Sequence, residues 1–572
     1  MDSLPVIYIR GYAGPTAGID TAVDDPFYGF NKGATHVRVG GDGDPVFYQF
    51  EGPLLRLITD EAYRLLVHGD QHQYLLDAQD RTVPRASLWV YRFYDQAATT
   101  FTPPPHGNVL QRLFRKAQQR VTAHGFDIES AAVGLYDLIM LVRQKTGAPK
   151  VYLVAHSMGG LVARCMMQKV CLLPQGSGND RRDRLPAREL VAKLFTYGTP
   201  HGGIAFELGV LDWAEQAFGP AGSDIFAPKK MYGYLTPGAT FGQTPPRRLA
   251  WDPQVIPEQV FAADDVFCLV GTDPKDYGPS RVAVGPKSDG LVLIEHAYVR
   301  SAHRAYVFKS HSGSYGEVNS EEGYQNLRRF LFGRWRVRID LAGLPPFPAA
   351  ADRPWPVWQA DMRLAIRGLS IVMSEQLAAH WCPIQLNEEL QRLGDTPDHP
   401  VPLVSTFLLD PARQIPGQPP PNPNQESHQG RARYTLTLRV FKLEEQDGRV
   451  RFADHLEQVP DWADSLLVDV GPRQDGTGLQ AWAAWNSAVE GANDQFDPIT
   501  EGLPAERRQP IEFAREGEDY VCHIPLPANA QALPVLGPAA NLKISVYDRQ
   551  PPTPQPGEGT AIIQTTEGGQ PQ

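Results

Sequence analysis

The segment Ala155-His156-Ser157-Met158-Gly159-Gly160 carries the residues best suited to chemistry. Ala155, two residues before its serine, and Gly159 and Gly160, just after, have little or no side chain. Small residues let a strand turn sharply into a helix, which lifts the serine hydroxyl to the helix N-terminus. The N–H groups there favour negative charge, so an oxyanion formed when Ser157 attacks a carbonyl carbon would be stabilised. Met158, the residue after the serine, supplies one such backbone donor. An ordinary serine turn at a strand end is the plainer reading. The flanking patterns weigh against it, because VYLVA (151–155) reads as a buried strand and LVARCMMQKV (161–170) as a helix.

A serine of this kind needs elements that hold it. LPVIYIR (4–10), SLWVYRFYD (87–95), KLFTYGT (193–199), VFCLVGT (266–272) and RAYVFKS (304–310) are short apolar runs that read as further strands. Between them, 54–67, Asp127 to Thr146 and a stretch near 321–332 have helical spacing. Strands alternating with helices imply a parallel sheet covered on both faces. The fold class expected is therefore α/β, a doubly wound, mostly parallel sheet. After Phe332 the period changes. WRVRIDL (335–341), YTLTLRVF (434–441), DYVCHI (519–524) and LKISVY (542–547) alternate every second residue, as antiparallel strands with one wet face do. An all-β, sandwich-like C-terminal domain is expected there.

VYLVAHSMGGLVAR, the Arg10-Gly11 turn after the first strand, and YGTPHGG (197–203) resemble bacterial lipases and esterases of the α/β-hydrolase fold. The likeness covers about residues 1–335. It implies that a general base and an orienting acid follow the serine in the order acid, then His. His311 follows the strand ending at Ser310 and is the expected base; His296 and His303 are rivals. Three aspartates follow VFCLVGT: Asp273, Asp276 and Asp289. Similar lipases carry the acid in an Asp-Gly-x-Val segment, which points to Asp289, with Gly290 making a turn and Leu291-Val292 tucking it inward. Asp273 is the runner-up. The resemblance also implies that the second oxyanion donor is the N–H of Tyr12. Its usual His-Gly turn reads Arg10-Gly11 here, and Asp20, Asp24 and Asp25 are partners to consider for Arg10. His201 precedes the acid in the chain and reads as part of a structural turn.

The expected division is a catalytic domain at 1–335 with a cap- or lid-like insertion at 204–260, a β-sandwich-like domain at 336–548, and a disordered tail at 549–572. In the insertion, Phe206, Leu208, Leu211, Trp213 and Phe218 could line an acyl site or merely pack on the core. The hydrophobic share of 42% is enough for a full core and excludes wholesale disorder. Residues 1–335 are nearly neutral at +1, whereas 336–572 carry −12. An acidic C-terminal half argues against nucleic acid and anionic lipid as electrostatic partners. Five cysteines with no CxxC argue against a disulfide framework or a zinc site. Gly40-Gly41-Asp42-Gly43-Asp44 lacks the spacing of a calcium loop and reads as a turn.

No cofactor is expected. The N-terminus has no signal-peptide pattern and no run of 18 apolar residues occurs, so the expectation is a cytoplasmic protein without integral membrane association. The expected function is a serine hydrolase that cleaves carboxylic esters of lipid or long acyl chains through an acyl-enzyme. Two other classes remain open. One is a phospholipase-type secreted effector with the same triad, its C-terminal domain serving a protein partner. The other is a non-catalytic binding protein on the same fold.

Overall fold

The computed structural model describes residues 3–11, 38–39, 45–46, 52–66, 71–91, 93, 127–174, 183–204, 225–275, 285–311, 316–346, 356–366, 369, 371–387, 400–410, 432–443, 459–473, 479–489 and 509–549. Its first half is built on a seven-stranded sheet. The strands are β1 (Val6–Ile9), β2 (Arg64–Leu65), β3 (Ser87–Tyr91), β4 (Val151–His156), β5 (Val191–Tyr197), β6 (Val266–Gly271) and β7 (His303–Val307). Their spatial order is β2-β3-β1-β4-β5-β6-β7, and every pairing is parallel. β1, β4 and β6 are buried along their whole length. That explains their unbroken apolar runs: helices and loops cover both faces, so no position needs to be polar.

The helices that matter for the site are α1 (Gly52–Glu61), α2 (Ile128–Thr146), α3 (Met158–Gln168) and α4 (Glu321–Phe332). Asp127 caps α2 by accepting from Glu129 N, and left-handed Gly147 ends it. Ser320 caps α4 by accepting from Gly323 N. α2 and α3 pack on one face of the sheet in a large apolar cluster, while α1 and α4 share a second cluster on the other face. The helical spacing at 54–67 ends early. Ala62 adopts a positive φ of 55° and residues 64–65 join the sheet as β2.

Two antiparallel sheets follow. One contains β8 (Trp335–Ala342), β11 (Val401–Leu408), β15 (Ala514–Glu516), β16 (Asp519–Pro525) and β17 (Asn541–Asp548), ordered β11-β8-β17-β16-β15. The other contains β9 (Val357–Ile366), β10 (Val372–Gln376), β12 (Ala432–Leu443), β13 (Trp462–Pro472) and β14 (Leu479–Trp485), ordered β10-β9-β12-β13-β14, with Ile384–Gln385 also paired to β9. Side chains of both sheets share one buried cluster.

These sheets are fastened to the parallel sheet. Tyr306 N on edge strand β7 donates to Ser374 Oγ at 3.1 Å, and Asn326 Nδ2 on α4 donates to Met373 O at 2.8 Å. Phe407 of β11 lies in the cluster under α4, against Phe267 and Phe330. Arg334, just after α4, binds Asp548 and Asp410. The acidic surplus of the second half is thus partly answered by arginines at the junction. Ile225, Phe226, Met231, Tyr234 and Leu235 pack into the same cluster as α2 and α3. Phe206, Leu208, Leu211, Trp213 and Phe218 lie outside the described residues, as do Gly40–Asp44 and the tail 549–572 beyond Arg549. Among the described residues no helix is long and apolar enough to cross a membrane. All five cysteines are free and buried.

Candidate active site

β4 ends at His156, and the next residue turns the chain into α3 with φ 53° and ψ −128°. Ser157 is thus a non-glycine residue in a strained backbone state, of the kind that costs roughly 1–3 kcal/mol and persists only where neighbours enforce it. The enforcement is visible. Ser157 N donates to Tyr197 O at 2.8 Å, while Ser157 O accepts from Gly160 N at 3.0 Å and Thr199 Oγ1 at 2.8 Å. The glycines admit no substitute. A Cβ on Gly159 would sit 2.5 Å from Ile9 O, and one on Gly160 would sit 2.2 Å from Thr199 Oγ1. A Cβ on Gly11, just past β1, would sit 2.6 Å from His156 Nδ1 and 2.9 Å from Ser157 Cβ. β1 and β4 are neighbours from which the chain runs in opposite directions across the sheet, and crevices of open α/β sheets form at such points.

Two loops bring the partners. Asp289 lies between β6 and β7 in a tight turn, where Asp289 N donates to Val292 O at 3.1 Å. Its Oδ1 accepts from Leu291 N at 2.9 Å and Val292 N at 2.7 Å. Those bonds leave Oδ2 for His311, whose Nδ1 lies 2.7 Å away. His311 Nε2 lies 2.9 Å from Ser157 Oγ. The backbone repeats the link, since His311 N donates to Asp289 O at 3.0 Å. Asp289 and His311 are buried, and Ser157 is 9% exposed. The structure therefore brings Ser157, His311 and Asp289 into one chain of hydrogen bonds.

The rivals lie elsewhere. His296 Nδ1 faces Gly203 O at 2.9 Å, and His303 Nε2 faces Asp264 at 3.5 Å. Asp273 accepts from Lys275 N at 3.0 Å in a turn of its own. Asp276 and Tyr12 lie outside the described residues, as do Asp20, Asp24 and Asp25. Met158 is buried as the first residue of α3, where first-turn N–H groups lack helical partners. His201 is buried between Arg164, Thr196 and Cys268, and burial together with Arg164 holds its pKa well below the usual histidine value. It ties the 198–203 turn to α3.

Two neighbours had no sequence signal of their own. His156 Nε2 lies 3.0 Å from His311 O, and their ring centroids are 4.9 Å apart. Burial, then His311 and Arg10, hold its pKa well below the usual value, so it is neutral. Glu317 is fully buried close to His311. His156, His311 and Glu317 together form a three-residue group with the donor types of a metal site. His311 in it is already engaged by Ser157 and Asp289, which leaves little for an ion to take.

No family model matches the chain, and no curated protein matches it. Among solved structures, lipase B of Aspergillus fumigatus aligns with TM-score 0.24 and 10% identity, over 53% of this chain and 44% of the lipase. The product of the Listeria innocua gene lin2722 aligns with TM-score 0.22 and 13% identity, over 58% of this chain and 94% of that one. The Tle4-Tli4 complex aligns with TM-score 0.15 and 14% identity, over 41% and 56%. The chain thus spans less than half the length of the lipase it is similar to. At these scores the likenesses carry no functional weight, and the chemistry has to be read from the residues above.

Proposed function

We propose that this chain is a serine hydrolase of the α/β-hydrolase kind that cleaves carboxylic esters. One observation carries the reading. A serine held in a strained strand-to-helix turn has His311 Nε2 at 2.9 Å, and that imidazole has a buried carboxylate at 2.7 Å from its other nitrogen. In this reading Ser157 Oγ attacks the ester carbonyl and gives its proton to His311 Nε2. Asp289 accepts from Nδ1–H, which keeps Nε2 free as a base and stabilises the imidazolium. In the same reading the oxyanion is received by the N–H of Met158, at the start of α3, and by that of Tyr12, which the resemblance implies. His311 then protonates the departing alcohol. Water, deprotonated by the same nitrogen, releases the acid from Ser157.

A lipid or long acyl chain suits the reading better than a small soluble ester, because Phe206, Leu208, Leu211, Trp213 and Phe218 stand in the sequence of the 204–260 insertion. The antiparallel sheets form a β-sandwich-like module in the same proposal. It contributes no catalytic residue and supports the hydrolase half through β7, α4 and Phe407. The experiment is labelling by a fluorophosphonate, with the modified residue found by mass spectrometry, and turnover of a chain-length series of p-nitrophenyl esters. Labelling at Ser157 with turnover is expected. A folded protein that neither labels nor turns over any ester overturns the reading in favour of a binding role.

A further inference from the structure

The mechanism above leaves unused a buried acid beside His311. Glu317 has no exposed surface, and among the described residues neither carboxylate oxygen has a hydrogen-bond partner. Its backbone is firmly placed. Glu317 N donates to Ser310 O at 2.9 Å, and Glu317 O accepts from Ser320 Oγ at 2.7 Å, the hydroxyl that also caps α4. The side chain enters a space that exists because residue 198 is glycine. A Cβ on Gly198, which has φ +47°, would lie 2.1 Å from Glu317 Oε1, 2.8 Å from His311 Nδ1 and 3.1 Å from Asp289 Oδ2. Three functional atoms converge on one missing methyl group. A Glu317 carboxylate oxygen lies within 4.8 Å of ring nitrogens of both His311 and His156.

Two carboxyls this close in a dry site do not both ionise. Asp289 has two backbone N–H groups and an imidazole to hold its charge, while Glu317 has only the weak influence of the Gly271 N–H. The charge therefore settles on Asp289. Burial, and then the charge of Asp289, push the Glu317 carboxyl well above the usual range, offset only in part by the Gly271 N–H. The other titratable groups facing it are His156, held neutral by burial, His311, and Tyr197, whose hydroxyl burial keeps protonated.

On the serine-hydrolase reading above, we propose that Glu317 is a positioning residue of the Asp289–His311 pair. It stays protonated while Asp289 is ionised, and it becomes the partner of His311 when the Asp289 side chain is cut away. In the intact chain the neutral acid fills the space beneath Nδ1 without adding a second charge. A second charge there would favour a His311 already protonated at rest, with no lone pair on Nε2 for the serine proton. When Asp289 is truncated, Glu317 loses its proton to solvent. Its carboxylate then closes from within 4.8 Å to hydrogen-bond length, about 2.8 Å, and accepts from Nδ1–H.

A double-mutant cycle on the full chain tests this, with ester turnover, pH–rate profiles and thermal melts for Asp289→Ala, Glu317→Gln and the pair. Asp289→Ala is expected to lose about a hundredfold in kcat and the pair about 10⁴-fold, the loss typical of a disabled triad acid. Glu317→Gln in the otherwise intact chain is expected to lose less than tenfold and to show one ionisation fewer in its pH profile. If Asp289→Ala does not fold, Asp289→Ser, which also vacates the space, replaces it. Equal rates for Asp289→Ala and the pair, or an unchanged number of ionisations in Glu317→Gln, overturn the proposal. The triad itself fails by a different sign, namely turnover that survives Ser157→Ala.

Discussion

Replacing Asp289 by Asn tests the site at its most sensitive point. The substitution keeps the shape and changes only what one atom can do. Asp289 Oδ1 accepts two backbone N–H groups at 2.9 and 2.7 Å, so in the variant the amide oxygen stays there. The NH₂ group is then turned to His311 Nδ1, 2.7 Å away in the native protein. A donor facing Nδ1 forces the imidazole proton onto Nε2, where it points at Ser157 Oγ and leaves no lone pair to take the serine proton. The expected loss is about 10⁴-fold in kcat, roughly 5.5 kcal/mol of transition-state stabilisation. KM should change little, because the lost interaction is made in the transition state. Fluorophosphonate labelling of Ser157 should slow in parallel while the melting temperature holds. Asn also occupies the route by which Glu317 would reach Nδ1, so this isosteric change should damage turnover more than Asp289→Ala. Asp273→Asn is the control, since its oxygen can still accept from Lys275 N, and it should stay within about threefold of the native rate. A larger loss in Asp273→Asn than in Asp289→Asn refutes the reasoning.

Ser157→Ala should leave under about one per cent of the ester turnover with an almost unchanged melt, as only the residual oxyanion and binding terms survive. Gly159→Ala would place a methyl 2.5 Å from Ile9 O, and overpacking of that kind costs about 1–3 kcal/mol, read as a lower melting temperature and weaker Ser157 labelling. Asp137 on α2 is raised to about 6 by burial, against 3.8 when unfolded, so its contribution to stability is full below pH 4 and is lost as pH rises through 6. Asp137→Asn should therefore raise stability at pH 8, by on the order of 2 kcal/mol, with no gain at pH 4; a gain at both pH values would show that charge burial is not the cause. Cutting the chain after residue 345 would strand β8 without β11 and β17 and remove Phe407 from the cluster under α4. Ser157 labelling of the soluble fraction should persist while solubility falls, and a monodisperse truncation that no longer labels would show that the sheets complete the site.

The turn that carries Ser157 is written locally. Gly159 and Gly160 are small because Ile9 O and Thr199 press on them, and any sequence that must make this turn needs small residues at such positions. The buried strands of the parallel sheet are legible for a similar reason, since covering on both faces demands continuous apolar runs. β9 is not legible in that way. Gln359 and Asp361 interrupt VWQADMRLAI as polar residues, yet both are buried, because Gln385 and Ala378 N answer them from another part of the chain. Among Asp273, Asp276 and Asp289 the residues alone left the acid open, and resemblance singled out Asp289. Only the folded loops show Asp289 beside His311 while Asp273 closes its own turn. Glu317 had no signal at all. It follows no strand and fits no helical period. Its environment is made by Gly198 from one loop, Asp289 from a second and His311 from a third. Backbone geometry depends on neighbours in the chain and leaves its mark in the local sequence. The protonation state of a buried acid depends on charges and free space brought together by separate loops, here Asp289 and Gly198 around Glu317, and that is decided by tertiary structure alone.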